Sequence, residues 1–229
     1  MHVLLTNDDG ITGPGLQALA DAVTQLGWQS TVVAPAFEQS QCGHRVTTHQ
    51  HLKVEPLGAQ RFAVHGTPAD CVRLALFALD VKPDLVLSGI NAGGNMGQDI
   101  VISGTVAAAR EAAYHGVRAM ALSHYLIREL AVDWQRTAGW IAEILAETHA
   151  KVQPERTFWN INLPHLPSTH AALPPRILCT PARSPLNVAY TQHEHGYAYS
   201  ASYASRPRDP GSDVAACFSG NVAISLLHI

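Results

Sequence analysis

Three unbroken apolar runs, VLL at 3–5, VVA at 32–34 and LVL at 85–87, punctuate the first ninety residues of this chain. Runs of this kind belong to strands buried on both faces, as in a parallel sheet covered by helices. The segment between the first two runs carries a helical period instead. Leu16, Leu19, Ala20, Val23 and Leu26 fall at i, i+3, i+4, i+7 and i+10, a stripe that ends at Gly27. A β-α-β-α order follows, and it predicts an α/β fold whose sheet is mostly parallel with helices on both faces.

The rest of the chain extends the pattern. HVLLT (2–6), STVVAP (30–35), DLVLSG (84–89), RAMALS (118–123) and FWNINLP (158–164) read as core strands. LKVEPL and RFAV suit a small antiparallel ribbon. Thr67-Pro68 opens a helix carrying Val72, Ala75, Leu76 and Leu79, with a hydroxyl at the N-cap and proline at the first helical position. Further helices are expected from about 105 to 114 and along the stripe Trp134, Ala138, Ile141 and Leu145. Beyond about residue 165 Pro and His become frequent. TQHEHGYAYSASYASR reads as a hairpin or arm, and NVAISLLHI as a last strand. The expected organisation is an α/β catalytic domain over 1–164 and an extension over 165–229 that serves subunit contacts.

Charge narrows the function classes. The 229 residues carry a formal net charge of −3 with no Lys/Arg cluster, which argues against a nucleic-acid polymer as partner, because such binding rests on neutralising phosphates. Charged residues make up only 14 % of the chain, below the roughly 25 % of ordinary soluble domains, so part of the surface is expected to be covered by another subunit. Cys42, Cys71, Cys179 and Cys217 are far apart and form no CxxC, which argues against a disulfide framework. HVLLT is too short for a signal sequence, and no apolar run reaches the roughly 20 residues of a membrane span. A cytoplasmic location is the expectation.

Open α/β sheets bind ligands beyond the carboxyl ends of their strands, and three polar loops start there: NDDG, PAFEQSQCGH and SGINAGGNMGQDIVISGT. In the first, Asp8 and Asp9 are adjacent carboxylates that repel unless a cation or proton lies between them. A divalent cation answers that need, and oxygen ligands suit Mg²⁺, Mn²⁺ or Ca²⁺. The second loop offers the hydroxyl of Ser40 for the same ion and His44 as an acid, a base or a substrate contact. The third offers Asn91 and Asn95 among Gly89, Gly93, Gly94 and Gly97, whose backbone can approach an anion closely. Ser103, Gly104 and Thr105 open a helix, where free N–H groups favour a phosphate. The histidines at 49, 51, 165, 170, 193, 195 and 228 are expected at the surface.

A competing pattern is GPGLQA at 13–18, which fits a dinucleotide fingerprint with Glu38 as the ribose-binding acid. Its first glycine lies six residues past Asn7, whereas the fingerprint turns straight off the strand. A non-catalytic dinucleotide-binding module is therefore the alternative reading. Adjacent aspartates also miss the DxD spacing of aspartyl-phosphate phosphatases.

Taken together, VLLTNDDGITGPG, VVAPAFEQSQCGH, HGTPADCVRLAL, PDLVLSGINAGGNMGQDIVISGTVAAAREA, NINLP and SDVAA resemble the SurE family of metal-dependent nucleotidases over nearly the whole chain. The resemblance implies a Rossmann-like, doubly wound domain with a C-terminal β-rich arm exchanged between subunits in a homodimer or homotetramer. It implies one divalent cation per subunit, Mg²⁺ or Mn²⁺, on Asp8, Asp9, Ser40 and Asn91, and a phosphate pocket around Gly94, Asn95 and Ser103 to Thr105. The implied activity is hydrolysis of nucleoside 5′-monophosphates, with 3′-monophosphates and short polyphosphate as further candidate substrates. Asp8 is assigned the added role of orienting or deprotonating water. His65 stands where a small or acidic residue is expected, and the later half looks shortened, which bears on substrate preference and oligomer size.

Overall fold

A computed structural model describes residues 1–127 and 129–229. Its main sheet has nine strands. From one edge inward these are β3 (Val54–Gly58), β4 (Arg61–Val64), β2 (Gln29–Pro35) and β1 (His2–Thr6); β5 (Leu85–Ala92), β6 (Ala119–His124), β7 (Thr157–Leu163), β11 (Val222–His228) and β8 (Arg176–Leu178) complete it. The central run from β4 to β7 is parallel, whereas β3 and β11 run antiparallel to β4 and β7. The chain steps outward from β1 through β2 and β4, then returns to lay β5 on the other flank of β1. That reversal is the topological switch point of a doubly wound sheet, the place where such folds open a ligand crevice.

Helices cover both faces. On one, α1 (Pro14–Gln25) and α5 (Trp134–Thr148) bury Leu16, Leu19, Ile141 and Leu145 against Leu5, Leu87, Leu122 and Ile161. On the other, α2 (Pro68–Phe77) and α4 (Gly104–Tyr114) bury Val72, Ala75, Val106 and Ala109 against Leu4, Val33, Val86 and Phe158. The near-continuous apolar strands are thus explained, since Leu4 and Leu5 sit in opposite layers. At the start of α2, Thr67 and Asp70 form a reciprocal capping box.

Four features depart from the sequence reading. Strand β5 continues to Ala92, so Asn91 sits on a strand end and not in a loop. Two short helices, α3 (Asp99–Ile102) and α6 (Asp213–Phe218), were not expected; at four and six residues they are too short to show a helical period. The extension is not a separate layer, because β8 and β11 pair into the main sheet and the boundary at 164/165 runs through it. Only the antiparallel hairpin of β9 (Tyr190–His193) and β10 (Gly196–Tyr199) stands off, with every residue exposed. Finally, His165 is buried, not at the surface: its Nδ1 accepts from Ile127 N at 2.7 Å and its ring lies edge-on to His124.

Candidate active site

The glycines of the first loop bring Asp8 and Asp9 to the switch point. Gly10 adopts φ +96°, and its carbonyl accepts from Asn7 Nδ2 at 2.9 Å, which closes the turn. A Cβ on Gly13 would lie 3.2 Å from Asp9 Cβ, and one on Gly15 only 1.9 Å from the Ile90 carbonyl oxygen. Gly13 therefore lets the start of α1 close on the aspartate loop, and Gly15 lets α1 pack against β5. The dinucleotide reading loses its residues here, because GPGLQA opens α1 from within that contact and Glu38 accepts the Ser40 hydroxyl at 2.6 Å.

Asp8 is 5 % exposed and sits against the first turn of α4. The Thr105 hydroxyl donates to its Oδ1, the Thr105 backbone N–H also bonds it, and a Cβ on Gly104 would come within 2.9 Å of its Cβ. Burial nevertheless lifts the Asp8 carboxyl to about 6; the Thr105 bonds oppose that rise and the Asp9 charge adds to it. Asp9 is also raised, by burial first and by Glu38, against a backbone hydrogen bond from Ala92 at 3.1 Å. Among the described residues no Lys, Arg or His forms an ion pair with either aspartate.

The other two expected ligands face the same space. Asn91 spends its amide nitrogen on the Gly93 carbonyl at 2.9 Å, which leaves Oδ1 as a free acceptor. Ser40 directs its proton to Glu38, so the lone pairs of Oγ remain. Two unpaired carboxylates plus two neutral oxygens form a donor set that suits a hard divalent cation and lacks the sulfur or imidazole of a structural zinc site. The residues present fit the group.

Asp8, Asp9, Ser40, Asn91, Gly94, Asn95 and Ser103 all line one cleft of about 820 Å³. Ser103 Oγ caps α4 by accepting from Val106 N, and Thr105 is fully buried behind Asp8. The free N–H groups at this helix start are therefore partly used on Asp8, not left wholly for a phosphate. His44 is not brought to the cleft; its Nε2 lies 2.6 Å from Glu111 Oε2.

Several contributors were missed. Asn95 is held by Asn160 and Asn162 of β7: its N–H donates to Asn162 Oδ1, and its carbonyl accepts from both Asn side chains at 2.9 and 3.1 Å. Two asparagines at i and i+2 in an otherwise apolar strand share one face, and that was the available signal. The far wall of the cleft is apolar and aromatic, with Leu186, Val188, Tyr190, Tyr199 and Tyr203. Tyr203 is anchored by donating to Asp99 Oδ2 at 2.6 Å, the atom that also receives Arg206 Nη1.

Comparison with known proteins fits this geometry. The family described as survival protein SurE matches residues 3–182. A putative 5′-nucleotidase of Synechocystis is 46 % identical over the full length of both chains. The 5′-nucleotidase SurE of Citrifermentans bemidjiense is 39 % identical across all of this chain and 93 % of its own. The crystal structure of SurE protein from Aquifex aeolicus superposes with a TM-score of 0.86 at 32 % identity, covering 100 % of this chain and 93 % of that one.

Proposed function

The chain belongs to the SurE family, and from that premise we propose that it is a divalent-metal-dependent 5′-nucleotidase working at the β1/β5 switch point. The observation that carries this reading is the unpaired couple of buried Asp8 and half-buried Asp9, which shares one cleft with the free oxygens of Ser40 and Asn91. These four residues would hold one Mg²⁺ or Mn²⁺. Such an ion supplies Lewis-acid polarisation of the phosphoryl oxygens and acidifies water.

The chain's own groups do the rest. Asp8, fixed by Thr105, presents a carboxylate oxygen that orients the attacking water and can take its proton. Asn95, braced by Asn160 and Asn162, and Gly94 and Ser103 beside it bound the phosphate end of the cleft. At the other end Tyr190, Tyr199 and Tyr203 offer ring faces for a nucleoside. Water attacks phosphorus in line, and the products are the nucleoside and inorganic phosphate. Nucleoside 3′-monophosphates and short polyphosphate present the same terminal phosphoryl group and belong to the candidate substrate range. The exposed β9–β10 hairpin is proposed to join a homodimer or homotetramer. Among the described residues no helix is long and apolar enough to cross a membrane. All four cysteines are free thiols, in keeping with the cytoplasmic setting proposed for the enzyme.

The test is phosphate release from AMP by the purified protein, before and after EDTA, with Mn²⁺ or Mg²⁺ restored. Activity should vanish with chelation and return with the metal. Hydrolysis that continues at full rate in EDTA would end the metal-dependent reading.

A further inference from the structure

Glu111 is buried on α4 and collects three side-chain donors. Its Oε1 lies 2.5 Å from Arg73 Nε and 2.8 Å from His115 Nε2, and its Oε2 lies 2.6 Å from His44 Nε2. Burial alone would raise this carboxyl, but the hydrogen bonds from His44, Arg73 and His115 outweigh it and hold it at about 2. Ionised Glu111 can only accept, so the proton between it and His44 resides on the imidazole Nε2.

The two oxygens face different parts of the fold. Oε1 ties α4 to α2 through Arg73 and to its own C-terminal end through His115. Oε2 reaches out to the second loop, four residues past Ser40. Ser40 itself is exposed, and among the described residues its hydroxyl bonds only the nearby Glu38. Its placement therefore depends on the flanking anchors, Gln39 N to the Asp8 carbonyl at 2.7 Å, Gly43 N to the Ile102 carbonyl at 3.0 Å, and His44 to Glu111. The same helix that receives His44 holds Asp8 with its first turn. One rigid element thus grips a candidate ligand directly at one end and the loop of another further along.

We propose that the His44–Glu111 hydrogen bond is a positioning device that fixes Ser40 relative to Asp8 and thereby sets the affinity of the cleft for its divalent cation. The proposal rests on the cation reading given above. His44 acts through the loop and does not touch substrate, and Glu111 acts through His44.

The experiment is Mn²⁺ titration of the full chain by calorimetry, with the Mn²⁺ EPR spectrum and the melting temperature recorded on the same samples. His44→Ala should weaken Mn²⁺ binding about tenfold or more, the usual size of a lost outer-sphere support. His44→Gln, whose amide can still donate to Oε2, should recover most of that loss. Glu111→Gln should weaken binding from the other side of the bond, and it serves if His44→Ala fails to fold. His115→Ala removes a donor from Oε1, where Arg73 remains, and should leave Mn²⁺ affinity at the parent value. Parent-like Mn²⁺ affinity in His44→Ala and Glu111→Gln would overturn the positioning role while leaving the cation site intact. Equal weakening in His115→Ala would also overturn it, because the effect would then be general softening of α4. A parent protein that binds no Mn²⁺ would remove the cation reading itself, and the device with it.

Discussion

At its N-terminus α4 holds the carboxylate of Asp8, and two turns further on it carries Glu111. Both are buried, yet the first is pushed up to about 6 and the second held down at about 2. The difference lies in who answers the charge. Glu111 receives two histidines and an arginine from the chain itself. Asp8 receives a hydroxyl and a backbone N–H, and beside it stands a second carboxylate that makes matters worse. A buried carboxylate answered by its own protein is architecture, whereas one left unanswered beside an open cleft is suited to a ligand's charge.

The sharpest way to break this contrast is to remove the Asp8 charge. Asp8→Asn should lower Mn²⁺-dependent turnover of AMP by about a thousandfold. In EDTA at pH 8, thermal melts should show the same variant more stable than the parent by about 1–2 kcal/mol, since an uncompensated buried charge is gone. A loss of stability there would show that Asp8 is structural after all.

At the other end the signs reverse. Glu111→Ala should cost about 3 kcal/mol in chemical denaturation, because three donors lose their acceptor. The folded pKa of Glu111 lies below the ordinary carboxylate value near 4.5. Its stabilising contribution is therefore complete above that value and lost as pH falls towards 2. Denaturation curves of Glu111→Gln should lack this acid-dependent segment.

Smaller changes probe the shared frame. Gly15→Ala places a methyl group on the Ile90 carbonyl oxygen and should cost about 1–3 kcal/mol by overpacking. It should also weaken Mn²⁺ binding, since Ile90 precedes Asn91. Thr105→Val removes only the hydroxyl that donates to Asp8 and should cost about 1 kcal/mol in a urea melt. A Thr105→Val protein with unchanged stability and unchanged AMP turnover would show that Asp8 needs no help from the Thr105 hydroxyl.

The sequence made the parallel core legible because VLL, VVA and LVL must be buried on both sides, and it made the aspartate pair conspicuous because adjacent like charges need a partner. It also carried Thr67-Pro68 as a helix start, which the structure shows as a capping box. The role of His44 was not readable, since its partner Glu111 lies 67 residues away and no local pattern links a loop to a helix. Asn160 and Asn162 were visible only as polar intrusions in an apolar strand. The buried His165 was misplaced because its burial comes from packing against His124, not from its neighbours in sequence. Local chemistry was readable, and pairings across the sheet were not.

Strand β11 lies between β7 and β8, and in the chain it comes well after β7, at Val222–His228 against Thr157–Leu163. On the ribosome, β7 therefore emerges with one edge unpaired and stays so while roughly sixty further residues are synthesised. A bare parallel edge next to Phe158 and Ile161 invites pairing with other nascent chains. A translational pause across 164–221 should therefore be felt as aggregation, not as a weaker enzyme.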